Sequence, residues 1–144
     1  DKSDSLAALA QAEELGCNFV DTASVYGNAE EILGEFLQGR RDKWIVASKY
    51  SSQKQDMQTT IEQQLDMLKT DYIDFYQVHW APTDPALYEQ LYQLKASGKV
   101  RYVGVSLGHP SDIDYVTNHT QIDGFQVPFS LLETKSTTVS AIFR

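Results

Sequence analysis

The sequence predicts an α/β fold in which about five parallel strands alternate with helices, as in part of a (β/α)8 TIM barrel. Apolar runs alternate with stretches of helical periodicity, and no hairpin signal joins two runs. One reactive or polar side chain lies at or near the C-terminal end of each run, at intervals of about 20 to 30 residues, the size of a strand–helix unit. These side chains are Asp21, Lys49, His79, Ser106 and Gln126.

An open, doubly wound sheet is the competing architecture, because it is also built from alternating strands and helices. Its phosphate-binding fingerprint, Gly-x-Gly-x-x-Gly, is absent from the sequence. The incomplete barrel is therefore the preferred prediction.

The first predicted helix and strand lie at the N-terminal end of the chain. Ser3, Asp4 and Ser5 can each cap a helix, and Gly16 can end it in the left-handed conformation. The run NFVDTA follows directly, so we expect the first strand there.

The second helix follows the short loop SVYGN and precedes the second strand, WIVASKY. Asn28 can cap this helix, Glu31 stands at the reciprocal capping position, and Gly39 can end it. The basic residues before the strand are expected to form a solvated turn: Arg40, Arg41 and Lys43.

The third strand, IDFYQVH, lies between two further helices. A polar loop over residues 51–55 leads into the third helix, where apolar residues recur at helical spacing. Asp84 followed by Pro85 starts the fourth helix, because proline fits the first turn, and Gly98 can end it. The apolar positions of the two helices are Met57, Ile61, Leu65 and Leu68, then Leu87, Leu91 and Leu94.

The fourth strand, YVGVSL, and the fifth, GFQVPFS, enclose a short helix. Ser111 with Asp114 three residues later forms a capping box for it. Pro128 has no N–H to donate within a sheet, so it weakens the prediction for the end of the fifth strand.

Composition sets the outer limits on function. The chain has 144 residues, 42% of them hydrophobic, which predicts a single domain over residues 1–144. A net charge of −8 argues against a nucleic-acid partner, and no apolar run approaches the roughly 20 residues that cross a membrane. The single Cys17 excludes an internal disulfide and is expected to be small and buried. We therefore expect a soluble, cytoplasmic protein; the sequence is silent on its oligomeric state.

Buried parallel strands are normally almost wholly apolar, so recurrent polar side chains at their ends need a reason, and catalysis is the readiest one. Each residue alone has a plainer explanation. Asp21 could cap the loop after its strand, His79 could be a hydrogen-bonded core histidine, and Ser106 could be a small residue at a tight strand end. Gln126 could hold a neighbouring loop, and Tyr26 could simply pack. Their joint occurrence carries the prediction.

Four segments resemble the aldo-keto reductases, in matching order and with matching spacing. They are NFVDTASVYGNAEEILGEFL, KWIVASKY, LDMLKTDYIDFYQVHW and GKVRYVGVS. Four linked motifs over most of the chain are far more specific than a lone short pattern.

The resemblance implies an eight-stranded barrel that binds NADPH and moves a hydride between its nicotinamide and an aldehyde or ketone. It implies a catalytic tetrad of Asp21, Tyr26, Lys49 and His79. It also implies that Ser106 and Gln126 hydrogen-bond the nicotinamide carboxamide, with Asp21 beside the cofactor.

Two features depart from the family's pattern. Leu107 stands where many members have asparagine, which removes one polar contact to the carboxamide. The family's first strand and its last two strands are not in the sequence, so we expect the chain to be a fragment or truncation of a longer reductase.

The chemistry of the tetrad can be argued from the residue types. Carbonyl reduction builds negative charge on oxygen, so the site needs an acid within hydrogen-bond reach. A tyrosine ordinarily has a pKa near 10, and a neighbouring ammonium favours its phenolate. Asp21 would keep Lys49 charged, Lys49 would activate Tyr26 as the general acid, and His79 would orient the substrate oxygen.

Two other functions remain open at this point. The chain could be a non-catalytic, cofactor-sensing or regulatory subunit of the same fold. It could also be a Schiff-base aldolase that uses Lys49 as nucleophile, which would require a neutral, unpaired lysine. His109, His119 and Trp80 have no assigned role, although Trp80 could line a substrate pocket.

Overall fold

The part of the chain that the structure describes forms a half-barrel of five parallel strands that alternate with helices, which confirms the predicted fold class. The computed structural model describes residues 1–51, 55–80, 84–108 and 111–128, without the side chains of Ser111 and His119. The strands are β1 (Phe19–Asp21), β2 (Ile45–Tyr50), β3 (Ile73–Val78), β4 (Val100–Ser106) and β5 (Gly124–Gln126). The helices are α1 (Lys2–Glu14), α2 (Ala29–Phe36), α3 (Met57–Leu68), α4 (Pro85–Ala96) and α5 (Ser111–His119).

The strands lie in chain order in one sheet, and each pairs in parallel with the next. Because side chains alternate between the two faces of a strand, the register decides which residues share a face. Lys49 stands opposite Gln77, and Ser106 stands opposite Gln126. These four side chains therefore lie on the inner face, towards the barrel interior.

The outer face of the sheet packs against the helices and forms the hydrophobic core. Val46, Tyr76 and Val103 are fully buried there, in one cluster with Ile61 of α3 and Leu91 of α4. This packing fixes the orientation of each strand and so the direction of the inner-face side chains. No helix in the described part of the chain is long and apolar enough to cross a membrane.

Several local predictions need correction. Asp1, not Ser3, Asp4 or Ser5, is the N-cap of α1, since its side chain accepts a hydrogen bond from the backbone N–H of Asp4. Asn28 is at the N-cap position of α2 without a side-chain capping bond, and Cys17 is exposed.

The basic turn before β2 is also not simply solvated. Arg41 donates hydrogen bonds to the Asp74 carboxylate at 2.6 Å and to the Trp44 carbonyl at 2.7 Å. Asp74 is buried, pairs in addition with Arg101 at 2.8 Å, and accepts the Val46 N–H. The turn therefore ties β2, β3 and β4 together at the end of the sheet opposite the predicted site.

A buried polar cluster joins the outer face of β2 and β3 to α2 and α3. Glu30 is 2% exposed and accepts hydrogen bonds from Ser48 at 2.6 Å and Gln64 at 2.7 Å. Gln64 also accepts from the Tyr76 hydroxyl at 2.6 Å and donates to the Lys49 carbonyl at 3.3 Å. Desolvation raises the pKa of Glu30, and its bonds to Ser48 and Gln64 only partly offset this.

The raised pKa of Glu30 gives a stability prediction. The contribution of Glu30 to the free energy of unfolding is fully present below the ordinary pKa of a glutamate. It is lost as pH rises through the higher pKa of the folded state, because the carboxyl group must then ionise while it is buried. We expect Glu30→Gln to be less sensitive than the wild type to a pH increase from about 4.5 to 7. Urea unfolding at both pH values measures this. Equal pH sensitivity of the two proteins would contradict it, and Glu31→Gln on the exposed side of α2 is the matched control.

The contact between α2 and α3 gives a second prediction. A Cβ on Gly34 would overlap the Met67 carbonyl oxygen and lie 2.9 Å from the Leu68 Cα. The two helices can therefore pack this closely only because Gly34 has no side chain. We expect Gly34→Ala to destabilise the protein by about 1–3 kcal/mol in urea unfolding. Gly108→Ala, which meets nothing within 4 Å, is the control and should cost much less.

Candidate active site

Lys49 is the centre of the site. Its side chain is only 1% exposed, and its ammonium donates to Asp21 Oδ2 at 2.5 Å and to the Thr22 carbonyl at 3.0 Å. Asp21 ends β1 and Lys49 lies one strand away on β2, so the sheet itself brings the two charges together. A buried lysine normally requires such a partner, and the paired arrangement keeps the ammonium charged and fixed in place.

Tyr26 reaches the site from the loop after β1. Its N–H donates to the Ala23 carbonyl at 3.0 Å, and Gly27 follows with a φ of 61°, so the loop turns tightly back over the strand ends. The Tyr26 ring centroid lies 5.6 Å from Lys49 Nζ and 6.0 Å from the His79 ring centroid. Tyr26 is 47% exposed, so the residue is partly open to solution.

His79 directly follows β3 and lies beside the same group. Its N–H donates to the Tyr50 carbonyl at 3.0 Å, and its ring Nδ1 is 2.7 Å from Ser51 Oγ. Burial lowers the pKa of His79, the charge of Lys49 lowers it further, and that of Asp21 raises it in part. The two lowering effects favour the neutral form of the imidazole. The structure thus brings all four predicted tetrad residues together.

The side-chain amides of Gln77 and Gln126 lie on the inner face and extend the site from the tetrad residues to β5. Gln77 Nε2 donates to Gln126 Oε1 at 3.3 Å, and Gln126 Nε2 lies 3.5 Å from Asp21 Oδ2. Ser106 stands opposite Gln126, and the Leu107 N–H donates to the Gln126 carbonyl at 2.8 Å. Ser106 and Gln126 are therefore neighbours at the same end of the sheet as the tetrad.

Two residues of this region were missed by sequence reasoning. Gln77 is 1% exposed, and its Oε1 has no hydrogen-bond partner among the described residues. Ser51 contacts His79 but stands in a segment assigned only to a polar loop. The alternation of a strand would have found both, because Ser51 follows Lys49 by two residues and Gln77 precedes His79 by two.

The remaining candidates can be placed only in part. Trp80 packs its ring against Tyr50 at a centroid distance of 6.0 Å, which ties it to the end of β2. His109 and the side chain of His119 lie outside the described residues. Within the described ranges, no group of three histidine, cysteine, aspartate or glutamate side chains could hold a metal ion.

Known proteins give a consistent picture. The chain is 32% identical to the uncharacterized oxidoreductase YqkF of Bacillus subtilis, over 92% of this chain and 49% of that protein. It is 37% identical to the methylglyoxal reductase YeaE of Escherichia coli, over 70% of this chain and 38% of that protein. The chain thus spans half or less of the length of these two relatives.

A solved structure shares the fold. The aldo-keto reductase of Klebsiella pneumoniae in complex with NADPH is 32% identical and superposes with a TM-score of 0.80, over 89% of this chain and 49% of that one. The model of the aldo/keto reductase family matches residues 1–144, the whole of the sequence. The resemblance noted in the sequence is therefore confirmed, and the chain belongs to the aldo/keto reductase family.

Proposed function

We propose that the chain carries the catalytic centre of an NADPH-dependent reductase of aldehydes and ketones, with Tyr26 as general acid. The observation that carries this proposal is the buried ion pair of Lys49 and Asp21 beside Tyr26 and His79. A charged group held next to a phenol and a neutral imidazole is what protonation of a carbonyl oxygen needs. Membership of an oxidoreductase family supports it.

The residues present fit a nicotinamide. Its carboxamide offers two N–H donors and one acceptor, and Ser106 and Gln126 supply a hydroxyl and an amide side by side at the strand ends. Gln77, which donates to Gln126, has a buried Oε1 without a partner among the described residues and so adds an acceptor. NADPH, when bound, supplies the hydride. The Klebsiella pneumoniae relative was crystallised with NADPH, which favours this cofactor.

The chain's own residues then handle the proton. Lys49, held by Asp21 and the Thr22 carbonyl, stabilises the phenolate that forms as the Tyr26 hydroxyl donates its proton to the substrate oxygen. His79 is neutral and offers a second hydrogen bond to that oxygen, which fixes its approach. The two rings already lie side by side, with centroids 6.0 Å apart, which supports a role for preorganised geometry.

The substrate class follows from the same arrangement. A half-exposed tyrosine suits a small carbonyl compound that enters from solution, and one relative is named a methylglyoxal reductase. Lys49 is a poor candidate for the Schiff-base alternative, because that chemistry needs an unpaired amine and Lys49 is held in an ion pair with Asp21.

The proposed role of Tyr26 can be tested directly. In the full-length protein, Tyr26→Phe should lower the rate of NADPH oxidation with a small aldehyde about 100-fold or more, because the general acid is lost. Absorbance at the nicotinamide band follows the reaction. Tyr72→Phe, at the opposite end of β3, is the matched control and should keep full activity. Full turnover in Tyr26→Phe would refute the assignment.

The electrostatics of His79 can be tested by its titration. NMR of the full-length protein should show a midpoint below the ordinary histidine pKa of about 6.5, because burial and Lys49 disfavour the imidazolium. Lys49→Met should raise this pKa, since it removes a nearby positive charge, whereas Asp21→Asn should lower it. Shifts of the same sign in both variants would contradict the proposed arrangement. His79→Gln identifies the signal.

A further inference from the structure

Ser51 lies within hydrogen-bond distance of the His79 ring. It lies directly after β2, two residues beyond Lys49, and its Oγ is 2.7 Å from His79 Nδ1. The hydrogen bond from the His79 N–H to the Tyr50 carbonyl, at 3.0 Å, joins the two backbones beside this contact. This backbone bond holds His79 beside Tyr50, the residue that directly precedes Ser51.

A neutral imidazole has one N–H donor and one acceptor nitrogen, and the bond made by one nitrogen decides the role of the other. Burial and the charge of Lys49 favour the neutral ring here. A serine hydroxyl can donate to Nδ1, which leaves the proton on Nε2, or accept from it, which leaves Nε2 as an acceptor. Only the first arrangement gives His79 a proton to offer at Nε2.

The charge that develops in the reaction favours one of these two hydrogen-bond directions. An oxygen that gains negative charge is stabilised by a donor and is repelled by a second lone pair. We propose that Ser51 is a positioning residue that donates its hydroxyl proton to His79 Nδ1 and so holds the ring proton on Nε2, where it meets the carbonyl oxygen. This inference rests on the proposed reductase function.

The tautomer can be observed without any turnover. In the full-length protein, labelled with ¹⁵N at histidine, two-bond couplings within the ring show which nitrogen carries the proton. We expect the proton of His79 on Nε2 and a hydrogen-bonded Nδ1, with loss of the Nδ1 bond in Ser51→Ala. A proton on Nδ1 in the wild type would overturn the proposal, whatever the activity of the enzyme.

Steady-state kinetics give a second test of the role of Ser51. Ser51→Ala should lower kcat for a small aldehyde about tenfold, the effect of one lost hydrogen bond, while KM for NADPH stays the same. Ser51→Thr keeps a hydroxyl and should restore most of the rate. Ser24→Ala is the control, because the Ser24 hydroxyl is buried near the site and has no partner among the described residues.

Failures of the two proposals are distinguishable. Full kcat in Ser51→Ala, or Ser51→Thr no faster than Ser51→Ala, would overturn the role of Ser51 while the reductase function stands. A wild type without turnover would refute the reductase function, and the position of the His79 ring proton would then decide by itself whether Ser51 donates to the ring.

Discussion

The buried ammonium of Lys49 is the constraint on which the rest of this site depends. A lysine that is 1% exposed must have its charge balanced, and the chain does so with Asp21 from the adjacent strand and the Thr22 carbonyl. The position of that cation then determines the surroundings of Tyr26 and His79. It disfavours a second positive charge on the imidazole of His79, and it lies 5.6 Å from the centroid of the Tyr26 ring.

The sheet makes this arrangement rigid. Asp21, Lys49 and His79 come from three consecutive strands, and hydrogen bonds between those strands fix their spacing. The helices contribute indirectly: their apolar faces pack against the outer side of the sheet, which holds the strands and therefore the inner-face side chains in position. Tyr26 alone is held by a loop, where the tight turn at Gly27 sets its position.

Features that depend on residues close together in the sequence could be predicted, whereas most of those that depend on contacts between distant segments could not. The alternation of strands and helices and the inner-face residues Lys49 and His79 follow from local periodicity, and they were predicted. Ser51 was missed although it follows Lys49 by two residues and so belongs to the same alternation. The role of Gln64 was not predicted, because it depends on contacts with segments distant in the chain. The burial of Glu30 was missed for the same reason: an acidic residue in the first turn of a helix is ordinarily solvated, and only the approach of α2 to α3 encloses it. Arg41 likewise finds Asp74 only after β2 and β3 have paired.

The polar cluster behind β2 has a consequence for folding. A shift of β2 by one residue would exchange the faces of Ser48 and Lys49. Ser48 would then lose Glu30 and Gln64, and Asp21 would lose its cation, so the misregistered sheet would carry unpaired polar groups on both sides at once. Ser48 and Tyr76 stand opposite each other, and Gln64 contacts both. Gln64 therefore stabilises the correct register of β2 against β3 relative to a register shifted by one residue.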